Sequence, residues 1–186
     1  MKKIITTLSV IIACACFLGT SASALNFTSA EFLGIIETGE PASIANEVGY
    51  VNTLLAQASP SGPTTISGHN YTRSSNPDLG SGSVSDTDAV KDESGGVSVP
   101  AGYEYLLAKY DGPNAGDVLW YLGGAAATIP ANSFGLWVNR GGTGYGISHF
   151  TVFNPGDNHV PDGGMPLVML GTALTGLGVV RRFVKR

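Results

Sequence analysis

Thiols are nearly missing from this chain. Its 186 residues include two cysteines, Cys14 and Cys16, both near the start. A processed protein that begins after them has no disulfide, no cysteine-held metal and no thiol nucleophile. Positive charge is missing from the middle. Of ten Lys and Arg, Lys2 and Lys3 open the chain and Arg181, Arg182, Lys185 and Arg186 close it. Only Arg73, Lys91, Lys109 and Arg140 lie between. Residues 25–160 hold 13 of the 14 acidic side chains, which leaves that body at −9. A body so acidic repels nucleic acid and anionic headgroups, so no nucleic-acid partner is expected. No internal repeat is visible.

What is present is an apolar segment at each end. The last 27 residues read Val160-Pro161-Asp162-Gly163-Gly164, then a charge-free run Met165–Val180, then Arg181-Arg182-Phe183-Val184-Lys185-Arg186. The 16-residue run would span ~24 Å as a helix at ~1.5 Å per residue. That is short for a ~30 Å hydrocarbon core unless Arg181 and Arg182 snorkel. A core helix of a soluble domain would show a polar face, and this run shows none. We therefore expect a single transmembrane helix at 165–180. The basic residues 181–186 predict a cytoplasmic tail.

A short Pro/Gly motif, one apolar span and a terminal basic cluster, in that order, resemble the C-terminal sorting signals of exosortase substrates, the PEP-CTERM class. The variant reading VPDSG is the nearest in pattern, with Gly163 here where that variant carries Ser. The resemblance implies recognition by an exosortase, a membrane-embedded protease, and cutting near Val160, Pro161, Asp162, Gly163 and Gly164. It covers the tail alone. The body runs GYEYLLAKYDGPNAGDVLWYLGG and GISHFTVFN look more loosely like those of many exosortase substrates, whose bodies have no chemistry to carry over.

At the other end, Lys2 and Lys3 precede an apolar stretch from Ile4 to Leu18, and Ala22-Ser23-Ala24 follows as an A-x-A cleavage site. This predicts a signal peptide over 1–24, with Ala22 and Ala24 marking the cut. Ile11-Ile12-Ala13-Cys14 offers a lipobox as the rival, with Cys14 as a lipid-modified N-terminus.

Between the ends, residues 25–158 are long enough for one exported, β-rich domain. Residues 159–164 then form a linker and sorting motif. Pro41–Ala58 predicts an amphipathic helix, with Ile44, Val48, Val51 and Leu55 on one face. Gly49 costs that helix roughly 1 kcal/mol against Ala. Phe32–Ile36 predicts a short strand before it. Residues 59–96 are rich in Ser, Gly and Asp and read as a long loop region with short strands near Ile66 and Val84. After Val97 the pattern turns β. Strands are expected at 103–110, 118–122, 127–129, 134–138 and 145–153, with Asp111-Gly112-Pro113-Asn114 as a turn. Together these predict an all-β fold, an antiparallel β-sandwich-like body with one N-terminal amphipathic helix.

Little chemistry stands out. His149 is the best site candidate, in Ser148-His149-Phe150. Strand alternation would turn Ser148 to the other face, although a distant serine or carboxylate could meet the imidazole. His69 lies in the polar stretch and His159 in the linker. Asp86, Asp88, Asp92 and Glu93 cluster, but without EF-hand spacing, and read as a solvated acidic loop. Gly141-Gly142-Thr143-Gly144-Tyr145-Gly146 lacks the Lys-Ser/Thr and helix of a phosphate cradle, so it reads as a turn feeding a strand. Trp120, Tyr121, Trp137, Tyr145 and Phe150 could form a sugar platform. Alternation instead points Trp120 into the core with Val118 and Leu122, and Tyr121 to the opposite face with Leu119. Asn26-Phe27-Thr28 and Asn70-Tyr71-Thr72 match a glycosylation sequon. No nucleophile–base–orienter set, metal site or cofactor site is legible, so no enzyme is expected. The expectation is a non-enzymatic surface or matrix protein, held first in the inner membrane by its tail and then released to the surface, with an exosortase-type protease and exopolysaccharide as partners. The alternative is a carbohydrate-binding or carbohydrate-active β-sandwich exoprotein.

Overall fold

The computed structural model describes residues 22–37, 41–76 and 82–155. In chain order these form strand β1 (Ser23–Ala24), β2 (Phe32–Glu37), helix α1 (Ile44–Leu55), β3 (Ser61–Ile66), β4 (His69–Arg73) and β5 (Val90–Asp92). Then come β6 (Ser98–Val99), β7 (Tyr103–Tyr110), β8 (Gly116–Tyr121), β9 (Ala127–Thr128) and β10 (Ile147–Pro155). Seven strands make one sheet, in the order β3-β4-β2-β8-β7-β10-β5, and every neighbouring pair is antiparallel. A small three-stranded sheet runs β1-β9-β6. Its β6–β9 pair is antiparallel and its β1–β9 pair parallel. The described body is thus mostly β, with two sheets and one short helix, in keeping with a sandwich-like domain.

Period-2 alternation divides the large sheet between two cores. Leu106, Ala108 and Tyr110 of β7 join Val118 and Trp120 of β8 and Phe150 and Val152 of β10 on one face. There they pack with Leu25, Val99, Ala127 and Ile129 from the small sheet and its flanks. Tyr105, Leu107, Leu119 and Phe153 take the other face, against Tyr50, Val51 and Leu54 of α1. Trp120 and Leu122 fall in the first core, Leu119 and Tyr121 with the second, as alternation predicts.

The helix is shorter than the expected 41–58 and is turned about its axis. Ser43, not Pro41, sets its start. Ser43 has extended backbone angles, and its Oγ accepts from Asn46 N at 3.4 Å and from Asn46 Nδ2 at 2.7 Å. The buried stripe is Glu47, Tyr50, Val51 and Leu54. Of the four residues expected on the buried face, Val51 is fully buried while Ile44, Val48 and Leu55 are half-buried. The difference comes from Glu47, a charged residue that hydropathy assigns to water. Replacing Ser43 by Ala should cost about 1 kcal/mol of stability in chemical denaturation, the usual worth of such a cap.

Three further expectations change. The stretch 59–96 is not one long loop: β3 and β4 form a hairpin that extends the large sheet, and β5 closes its other edge. The short strand expected near Ile66 is β3, exposed on both faces, whereas the polar composition of the stretch hid β4 and β5. No strand forms at Val84, although Val84 is buried. Residues 134–138 are not a strand but a turn, flanked by the single bridges Asn132↔Gly146 and Val138↔Gly144. Two glycines permit the sheet to close around β2. A Cβ on Gly116 would run into the Ile36 carbonyl oxygen, and one on Gly34 into that of Thr72.

Candidate functional site

The helix-covered face of the large sheet is not wholly apolar. Asp117, Lys109 and His149 are register partners across β8, β7 and β10, so they form one polar row. Thr151 and Lys91 are partners across β10 and β5 in the row beside it. All five point to the side that α1 covers, and α1 lowers Glu47 into them. Glu47 is 1 % exposed. Its Oε1 lies 3.0 Å from Lys91 Nζ and 2.9 Å from His149 Nε2, and its Oε2 accepts from Thr151 Oγ1. Lys91 Nζ also donates to the Ala42 carbonyl, just ahead of the helix. A carboxylate can only accept, so His149 carries its proton on Nε2. Its Nδ1 lies 3.4 Å from Ser148 Oγ.

That last contact corrects the expectation that Ser148 and His149 face apart. The β7–β10 register slips between Ile147 and His149, so Ser148 is the extra residue of a β-bulge. Ser148, His149 and Glu47 thus stand in line. Yet 3.4 Å is long for an O–H···N bond, and the imidazole is 7 % exposed. Thr151 and Lys91 already occupy the carboxylate. The arrangement binds two strands, β5 and β10, to the helix.

The two carboxyls of this cluster are driven in opposite directions. Burial alone would raise the Glu47 pKa, but hydrogen bonds from His149, Thr151 and Lys91 together outweigh it and hold the group below its ordinary range. Asp117 has no such help. Burial pushes its carboxyl well above the ordinary range, the Lys109 charge opposes this, and the Glu47 charge adds to it. Neither Asp117 oxygen has a hydrogen-bond partner.

Searches of protein families, curated proteins and solved structures give no match to this chain.

Of the residues singled out from sequence, Ala22 is exposed and Ala24 lies in β1. Val160, Pro161, Asp162, Gly163, Gly164, Arg181, Arg182, Lys185 and Arg186, the apolar span 165–180 and His159 lie outside the described residues. His69 packs against the Tyr50 ring at 4.7 Å. Asp86, Asp88 and Glu93 are exposed, and among the described residues no group of His, Cys, Asp or Glu is placed to hold a metal ion. Gly141 and Thr143 donate their N–H groups to Asn139 Oδ1, which shapes the turn before β10. Trp120, Trp137 and Phe150 are buried, and Tyr121 and Tyr145 are half-buried. Trp120 stacks on Phe27 at 6.0 Å and donates Nε1–H to the Asn26 carbonyl.

Sequence reading missed Glu47, Lys91, Lys109, Asp117 and Thr151 as one group. A signal was there. Lys109 and Asp117 are charges inside otherwise apolar strands, on the faces that carry Leu107 and Leu119. Their approach to a helix residue far earlier in the chain depends on topology that no local pattern carries.

Proposed function

We propose that this is a non-enzymatic exported surface or matrix protein, sorted by an exosortase-type system and associated with exopolysaccharide or the cell envelope. The observation that carries this is the ordered tail: the Val160–Gly164 motif, the charge-free run Met165–Val180, then Arg181, Arg182, Lys185 and Arg186. In this reading residues 1–24 are a signal peptide, the body is an antiparallel sandwich, and 165–180 is a transmembrane helix that parks the precursor in the inner membrane. Removal of residues 1–24 would also remove β1. Leu25, buried and hydrogen-bonded through its N–H to the Thr128 carbonyl at 2.8 Å, would become the first residue.

The body favours this reading over carbohydrate binding. A sugar platform needs exposed flat rings. Here both tryptophans lie in the core, and Phe134 is the one strongly exposed aromatic among the described residues.

Mass spectrometry of the surface protein tests the proposal. We expect Leu25 at the N-terminus and a C-terminus near Pro161–Gly164. Replacing Pro161 and Asp162 by Ala should leave an anchored, uncut precursor. Replacing Arg181, Arg182, Lys185 and Arg186 by Ser should weaken retention. A mature surface protein that still ends in Arg186 overturns the sorting reading, and a lipid-modified Cys14 overturns the N-terminal one.

A further inference from the structure

The exposed surface carries two patches of opposite character. The first is the loop 132–146. Phe134 is 66 % and Val138 49 % exposed, yet the loop that presents them is pinned. Ser133 Oγ donates to the Trp137 carbonyl at 2.7 Å and accepts from Tyr145 N at 2.9 Å. The bridges Asn132↔Gly146 and Val138↔Gly144 clamp its two sides. A Cβ on Gly144 would strike the Phe134 amide nitrogen, so the two sides are in close contact. These apolar side chains are held outward by hydrogen bonds, so docking them costs little ordering entropy. Arg140 tips the same loop. Among the described residues it is the one exposed cation, since Arg73 and Lys109 are buried and Lys91 is 14 % exposed.

The second patch is the β5 edge. β5 is one of the two edge strands of the large sheet, β3 being the other. Val90 is 50 % exposed, and Asp86 and Asp88 are exposed just ahead of it in sequence, while Glu93 lies 3.9 Å from Lys91 Nζ. One patch is apolar with a lone positive charge, and the other is apolar with several negative charges. Among the described residues, three of the four large exposed apolar side chains, Val90, Phe134 and Val138, belong to these patches.

We propose that the 132–146 loop of one molecule docks on the β5 edge of a second copy. Phe134 and Val138 cover Val90, and Arg140 meets Asp86 and Asp88. Two different patches joined in this way make a heterologous contact, which propagates into open chains unless the rotation closes a ring. The body's −9 charge opposes non-specific clustering, so attraction depends on the few places where its sign reverses. The contact forms whether or not the tail is a sorting signal, so it can fail while the sorting reading stands.

Sedimentation of the full chain in mild detergent, at low and high salt, tests this. We expect concentration-dependent association that weakens as salt screens the charges. Arg140→Glu, and separately Phe134→Ser with Val138→Ser, should each weaken it about tenfold. All three positions are exposed, so circular dichroism should be unchanged. Asp86→Lys with Asp88→Lys should weaken it likewise. Mixing that variant with Arg140→Glu should restore pairing between the two species. A monomer at every concentration overturns the proposal, as does association insensitive to these substitutions. A monomer that binds a polyanion through Arg140 overturns it as well.

Discussion

Replacing Glu47 by Ala should remove about 3–5 kcal/mol of stability. Glu47 accepts from His149, Thr151 and Lys91 in a space nearly closed to water. Deleting it leaves Lys91, 14 % exposed, with only the more distant, exposed Glu93 at 3.9 Å, and leaves two strand donors without an acceptor. The cost is that of stranding these partners rather than of losing one attraction. Most domains have about 5–15 kcal/mol in total, so the variant should lie near the edge of folding. A double-mutant cycle separates stranding from lost packing. Glu47→Gln alone should be strongly destabilising, whereas Glu47→Gln with Lys91→Met should recover part of the loss, because no unpaired charge remains. Chemical denaturation measures both. If the double variant is no better than the single one, charge is not what holds α1 to the sheet.

The pH dependence of Glu47 has a definite sign. Its folded pKa lies below the unfolded value, so its contribution is complete above the unfolded pKa. It is lost as pH falls through the folded value. The joint between α1 and the sheet should therefore weaken in acid.

The legible and illegible parts of this fold divide by the range of the signal. Strand β7 stands where its aromatic alternation places it, at Tyr103–Tyr110. The Asp111–Asn114 turn and the neighbouring strand β8 follow from local residue types. These features depend on backbone dihedrals and on period-2 burial, both local. Near Ile66 a short strand was legible, but its partner β4 was not, because His69–Arg73 has almost no apolar residues to read. Residues 134–138 misled in the other direction. Phe134, Leu136 and Val138 alternate as a strand would, but Gly135 at φ +104 turns the chain between them. Glu47 was the costliest omission. A glutamate in a helix is normally solvated, and only the arrival of β5 and β10 beneath it makes burial possible. The candidate site was accordingly legible in one residue, His149, and in none of its partners.

Asp117→Asn should raise stability at neutral pH, the opposite of what removing a buried charge usually does. Asp117 is buried, both its oxygens lack hydrogen-bond partners, and burial holds its pKa well above the ordinary carboxylate range. Below the unfolded pKa of about 3.9 the carboxyl is protonated in both states, and the group imposes no ionisation penalty. As pH rises past that value the unfolded chain ionises while the folded one keeps its proton. Stability then falls by up to ~1.4 kcal/mol per pH unit until the folded pKa is reached. Asparagine has nearly the same shape and does not titrate, so it removes this slope. Thermal melts of wild type and Asp117→Asn from pH 3 to pH 9 would show it. The two curves should nearly coincide at the acid end and separate upward, with the variant above. Glu47 acts on the other limb, so the wild-type optimum should lie between the two folded pKa values. Should the variant instead be less stable at every pH, Asp117 would be ionised in the fold and attracted to Lys109 across the β7–β8 pair. The polar row beneath α1 would then be an ion cluster and not a neutral acid beside a charged one.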